Sequence, residues 1–114
     1  MSKMIAMVEP ILPGKTEQWK KMASTLMGEK NAEYKKTRAE YGIRERVHFQ
    51  QTPMGDMVIV TMEGENPGEA MMKMGQATDD FSKWFMSEVK EIHGLDLSAP
   101  PPGPMPEMII DSGK

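Results

Sequence analysis

The sequence predicts a single α+β domain over residues 1–114, with elements in the order β-α-β-β-α-β. Two strand-like segments joined by a short turn lie in mid-chain, and a helical pattern of apolar residues lies on each side of them. Short apolar runs at the two ends of the chain supply the first and the last strand. A chain of this length can build one core, and self-association would add to the surface it buries.

The first strand is predicted over residues 3–11, where apolar side chains occupy both faces. A turn follows, and Gly14 or Thr16 is suited to cap the next helix at its N-terminus. Gly28 interrupts the helical spacing of the apolar residues beyond it. We therefore expect a long helix that is kinked at Gly28 and ends at Gly42.

Residues 43–51 and 56–63 form the predicted hairpin. In the first segment the odd positions are mostly apolar, and a strand sends odd and even positions to opposite faces. The second segment is apolar on nearly both faces, which is typical of a central strand. Pro53 and Gly55 supply the fixed and the permissive φ that a tight turn needs. The even positions of the first segment are all polar: Arg44, Arg46, His48 and Gln50.

The second helical region begins at Asn66, which is suited to cap it. It breaks near residues 75–79 and resumes until Gly94. Residues 95–106 are rich in proline, so we expect a stiff, extended connector there. Residues 107–111 then read as a last short strand.

This order is the split βαβ, ferredoxin-like arrangement. With the LPGK turn at residues 12–15, the hairpin turn at 53–56 and the FSKWF helix at 81–85, the chain resembles the dimeric α+β barrel superfamily, in an uncharacterised branch. The likeness covers residues 3–111 and lies in the order and length of the elements. It implies an antiparallel four-stranded sheet with helices on one face, whose other face meets a second copy in a homodimer.

Arg46 and His48 are the predicted catalytic residues. Two positions apart on one strand, they point the same way, into the barrel that the resemblance implies. The guanidinium could bind a developing oxyanion and the imidazole could transfer a proton near neutral pH. The alternative is that this polar face is solvated or forms ion pairs at an interface.

His93 ends the last predicted helix, where a cation complements the helix dipole, so we expect a structural role for it. The aromatic residues of the helices could line a pocket between helices and sheet, although their spacing also suits a core. The expected ligand-binding residues are Arg44, Gln50, Tyr34, Phe81 and Trp84.

Composition excludes several classes of function. A net charge of −3 and a pI near 5.4 provide no basic surface for nucleic acid. The absence of cysteine removes disulfides, thiolate catalysis and sulfur-ligated zinc, and no metal motif or cofactor is indicated. The N-terminal apolar run is far shorter than the ~20 residues of a membrane span, so we expect a cytoplasmic protein. Fourteen methionines suit either packing or an adaptable binding surface.

Three functional hypotheses follow. The first is a homodimer that binds a small organic molecule between sheet and helices. The second comes from the resemblance: a cofactor-independent, monooxygenase-like oxidoreductase acting on an aromatic or polyketide-type substrate, with His48 as base and Arg46 stabilising the oxyanion. The third is a structural or assembly module whose tail at residues 100–106 clasps a neighbouring subunit.

Overall fold

Four helices and three strands make up the fold in the computed structural model, which describes residues 2–101 and 103–114. The strands form an antiparallel sheet in the order β1-β3-β2. The prediction of an α+β domain is therefore confirmed, and β3 is central, as its two-sided apolar pattern predicted. The elements are β1 (Lys3–Pro10), α1 (Thr16–Met27), α2 (Asn31–Glu40), β2 (Ile43–Thr52), β3 (Gly55–Gly64), α3 (Pro67–Gln76) and α4 (Asp80–His93).

The two faces of this sheet lie in different environments because side chains alternate along each strand. On the face that the helices cover, here called the inner face, Met7 pairs with Val60 and both are buried. On the opposite, outer face, the next cross-strand row contains Val8, Ile59 and His48. Val8 is 55% exposed, so the outer face of a single copy carries uncovered apolar surface.

The predicted kink at Gly28 is a complete break between two helices. α1 ends one residue before it, and α2 begins at Asn31. The Asn31 side chain donates a hydrogen bond back to the carbonyl of Leu26, at 3.0 Å, which fixes the angle of the turn. The C-terminal end of α2 is followed by Gly42 in the left-handed conformation (φ 69°), as expected of a glycine that terminates a helix.

The second helical region is also divided into two helices, as predicted. Asn66 caps α3 by accepting a hydrogen bond from the Glu69 N–H at 3.2 Å. Asp79 caps α4 in the same way, accepting from the Ser82 N–H at 3.0 Å. Hydrogen bonds from the side chain and the backbone N–H of Ser82 lower the pKa of Asp79, because they stabilise its carboxylate.

The predicted fourth strand does not form in the single chain. Residues 107–111 have no strand structure and Ile110 is 87% exposed, so a four-stranded, ferredoxin-like sheet is not confirmed. The apolar run is only three residues long and follows Pro104 and Pro106, which lack the N–H groups that a strand ladder uses. Pro102 of the predicted connector lies outside the described residues, as does Met1.

Gly75 brings the segment after α4 against α3. A Cβ atom at this position would collide with the backbone carbonyl of Leu97, so only glycine permits the approach. Leu97 is thereby held over the space between the helices and the sheet, where it closes one side of a cavity.

Candidate functional site

A cavity of about 260 Å³ lies between the inner face of the sheet and the helices. Its floor includes Val58 and Val60 of β3, and its walls include Trp19, Phe85 and Val89 of the helices. Six of the fourteen methionines line it: Met7, Met22, Met27, Met62, Met71 and Met74. The lining is therefore mostly apolar and, because methionine side chains adapt their shape, deformable.

Four polar residues interrupt this apolar lining: Glu9, Tyr34, Glu45 and His93. They form two separate groups. Glu9 and His93 come from the end of β1 and the end of α4. Tyr34 is on α2 and Glu45 is on β2. The residues of β3 that pair with Glu9 and with Glu45 are four positions apart, so the two carboxyl groups are well separated along the floor of the cavity.

Backbone contacts at the end of β1 hold the first group together. The chain leaving β1 is tied to α4 by a hydrogen bond from the Leu12 N–H to the Ile92 carbonyl, at 2.8 Å. His93 follows directly, and its Nδ1 lies 2.9 Å from the carbonyl oxygen of Pro10. Because a carbonyl oxygen can only accept, Nδ1 carries the proton and Nε2 carries a lone pair. That Nε2 lies 3.7 Å from Oε1 of Glu9.

Burial sets the charge of both members of this group. The His93 side chain is 3% exposed and that of Glu9 is 15% exposed. Burial, with the nearby carboxylate of Glu45 as a smaller cause, raises the pKa of Glu9 to about 7. Burial also lowers the pKa of His93, partly offset by the hydrogen bond to Pro10. Both shifts favour the neutral forms, so near pH 7 this end of the cavity offers a partly protonated carboxyl group beside a neutral imidazole.

The second group is a buried ion pair supported by aromatic rings. Oε1 of Glu45 accepts hydrogen bonds from the Tyr34 hydroxyl at 2.7 Å and from Nε of Arg38 at 2.9 Å. The Arg38 guanidinium packs 4.9 Å from the Tyr34 ring centre and 4.6 Å from that of Phe85. Burial and the carboxylate of Glu45 raise the pKa of Tyr34, which therefore remains a donor. Nη2 of Arg38 is buried without a hydrogen-bond partner among the described residues.

The predicted catalytic residues lie on the opposite side of the sheet from this cavity. Arg46 and His48 share the outer face of β2, as the alternation predicted, and Arg46 lies 3.8 Å from Glu63 in a half-exposed ion pair. Arg44 and Gln50 are on the same face and exposed. The structure brings these four side chains together in one row but brings none of them to the cavity.

Of the three aromatic residues predicted to contact a ligand, one lines the cavity and two lie outside it. Tyr34 lines the cavity. Phe81 is buried behind it, 6.5 Å from Tyr34 and 5.8 Å from Trp84 between ring centres. Trp84 is half-buried at the surface, where the ammonium of Lys30 lies 5.1 Å from its ring centre. Phe81 and Trp84 therefore support the wall without forming it.

Sequence reasoning did not propose Glu9 and Glu45 as functional residues, and it gave His93 only a structural role. The usable signal was strand parity. Glu45 occupies the odd, mostly apolar set of β2, and Glu9 continues the odd set of Ile5 and Met7 on β1. A carboxyl group in a row of side chains that face the core is unusual and marks a position with a specific partner.

Two searches of the described residues, 2–101 and 103–114, are negative. No three His, Asp or Glu side chains come together as a metal-binding group there. No helix in that part of the chain has the length and apolar character needed to cross a membrane. Comparisons with models of protein families, with curated proteins and with solved structures find no match to the chain.

Proposed function

We propose that this protein binds a small, neutral and largely apolar organic molecule in the cavity between its sheet and its helices. The observation that supports this is the cavity itself, about 260 Å³ and lined mainly by methionine and other apolar side chains. Interior packing voids are normally few and small, and an apolar cavity of only ~150 Å³ can hold benzene. Ligand pockets start at roughly 300 Å³, so the ligand is a small one.

The charge of the lining supports a neutral ligand. Among the described residues, no Lys or Arg lines the cavity. The guanidinium of Arg38 packs behind the lining rings of Tyr34 and Phe85, and its charge is paired with that of Glu45. An anionic ligand would lose its hydration without gaining a cation, which is costly in an apolar site. The few polar groups are suited instead to orient one hydroxyl or carbonyl group of an apolar molecule.

Filling the cavity tests this proposal. Ala23 lies on its wall, and Ala23→Phe places a ring in the space a ligand would occupy. Ala32→Phe, at an exposed position of α2, is the matched control. With the neutral ketone 2-tetralone as probe, saturation-transfer NMR should show binding to the wild type and to Ala32→Phe and a loss of about tenfold or more for Ala23→Phe. Equal binding by both variants would place the ligand elsewhere.

We also propose that two copies associate through their outer faces, as in a dimeric α+β barrel. The uncovered apolar side chains of β1 on this face, Met4 (45% exposed) and Val8 (55%), support this, because such surface is normally covered in an assembly. The exposed apolar run at residues 108–110 could extend the contact by pairing with a sheet edge of the second copy. Light scattering should report a dimer that Val8→Glu dissociates, and a wild-type monomer at micromolar concentration would refute the proposal.

A further inference from the structure

We infer that Glu9 and His93 form a proton-transfer pair that acts on the ligand in the cavity, and that the ligand is a carbonyl compound with an acidic C–H bond next to the carbonyl group. The inference rests on the proposed small-molecule binding and adds a reaction class to it: tautomerisation, or migration of a double bond next to a carbonyl.

The geometry leaves both reactive atoms available. Nε2 of His93 and Oε1 of Glu9 are 3.7 Å apart, which is longer than the ~3.2 Å limit of a good hydrogen bond. Both residues line the cavity. The Pro10 carbonyl occupies the other imidazole nitrogen, so the lone pair of His93 is on Nε2, the atom nearest Glu9. A ligand in the cavity can therefore meet a base and an acid side by side.

The buried carboxylate of Glu9 has a cost in folding stability, which is common for groups at active sites. Its pKa of about 7 shows that burial disfavours the carboxylate, so at neutral pH the residue lowers the stability of the fold. Among the described residues, its short contacts include no hydrogen bond that would explain a structural need for a carboxyl group. Titratable groups whose pKa is shifted by burial and that lie in a cavity beside a second titratable group are concentrated at active sites.

The proposed reaction balances without an oxidant or a cofactor. Nε2 of His93 removes the proton from carbon, and the electrons of the C–H bond become the new C=C bond. The carbonyl oxygen takes the proton of the Glu9 carboxyl group, which gives an enol, a carboxylate and an imidazolium. Return of a proton from Nε2 to carbon, at the same or at a conjugated position, and of the enol proton to Glu9 restores the pair. Proton transfer by such positioned groups contributes about 10²–10⁴-fold in rate.

Hydrogen exchange on 2-tetralone in D₂O tests the inference, because enolisation replaces the C1 protons of the ketone by deuterium. We expect the wild type to accelerate this exchange at least tenfold over buffer. Glu9→Gln and His93→Gln should each reduce the acceleration about tenfold or more while 2-tetralone still binds. The control is Glu17→Gln, the same substitution as Glu9→Gln at an exposed position of α1 outside the cavity, which should exchange at the wild-type rate. Circular dichroism checks that each variant folds. If His93→Gln does not fold, Glu9→Gln still tests the inference, because glutamine has nearly the same shape as glutamate.

The outcomes separate this inference from the binding proposal. If saturation-transfer NMR shows 2-tetralone bound in the cavity but exchange is no faster than in buffer, or if both variants exchange like the wild type, the proton-transfer role is wrong and ligand binding stands. If the wild type does not bind 2-tetralone, or Ala23→Phe binds it equally, the binding proposal fails and the inference fails with it.

Discussion

The two faces of the sheet carry similar chemical groups in opposite environments. Each has a histidine, an Arg–Glu pair and methionines, but on the inner face they are enclosed by helices and on the outer face of a single copy they are open. The Arg38–Glu45 pair that packs on the inner face is 7% and 4% exposed, and the Arg46–Glu63 pair of the outer face is 41% exposed at both members. The difference shows that enclosure by the helices, more than the type of residue, determines how far each charged group is removed from water.

The largest expected effect comes from breaking the enclosed ion pair. Glu45→Gln should lower the free energy of unfolding by about 3–5 kcal/mol, because Arg38 stays buried without its carboxylate. Glu63→Gln, the same substitution on the outer face, should cost less than about 1 kcal/mol. Urea melts at low protein concentration measure both. Equal losses would mean that the outer face is as well enclosed as the inner one.

Two methionines of β3 sharpen the comparison. Met62 lies on the inner face and is 4% exposed, so Met62→Ala should cost about 2–5 kcal/mol at any protein concentration. Met57 is half-buried on the outer face, and Met57→Ala should cost about 1 kcal/mol or less in the monomer. If a second copy covers the outer face, the cost of Met57→Ala should rise with protein concentration, since dimerisation adds to stability. A loss at Met57 that matches Met62 in dilute solution would contradict the assignment of the faces.

Most of the fold could be predicted because it depends on local patterns. Alternation along residues 43–51 fixed which side chains share a face, and the apolar pattern of β3 identified the central strand. Gly28 was correctly recognised as an interruption, but a glycine alone does not distinguish a kink from a break. The hydrogen bond from the Asn31 side chain to Leu26 is local, yet the spacing of apolar residues carries no sign of it. The segment 107–111 could not be judged locally, because a strand forms only where a partner edge accepts its hydrogen bonds.

The site was harder to predict because it joins distant parts of the chain. Arg46 and His48 attracted attention as neighbours on one strand, whereas Glu9 and His93 are 84 positions apart in the sequence and meet only when the end of α4 packs against the end of β1. A polar row usually faces solvent. A single polar residue within an apolar row indicates a cavity or a buried partner more reliably, and parity alone places Glu9 and Glu45 in such rows.

Glu9→Gln should have a smaller effect on the free energy of unfolding, and the size of this effect should depend on pH. The unfolded chain has the ordinary pKa of 4.5 and the folded chain a pKa of about 7, so the folded state binds more protons between these values and stability falls as pH rises through that window. Glu9→Gln removes this loss. Its advantage over the wild type should grow from near zero below pH 4.5 to about 3 kcal/mol above pH 7.

Urea melts at several pH values measure this advantage. The lowered pKa of His93 has the opposite sign, giving stability that increases with pH up to its unfolded pKa of 6.5, but it is present in both proteins and largely cancels in the difference. Glu17→Gln, at an exposed position of α1, measures the background of removing one surface carboxylate. An advantage of Glu9→Gln that does not change with pH would show that the carboxyl group is not buried as described.

The smallest effect is expected for His48→Ala. Its effect on ligand binding shows which face of the sheet binds the ligand. His48 is exposed on the outer face of β2, an edge strand of the sheet. His48→Ala should therefore change the free energy of unfolding by less than about 0.5 kcal/mol and leave 2-tetralone binding unchanged. Calorimetric titration of His48→Ala beside Ala23→Phe measures the binding. Weaker binding by His48→Ala, with full binding by Ala23→Phe, would reverse the comparison. The ligand would then lie between the outer faces of two copies, where Arg46 and His48 were first predicted to act.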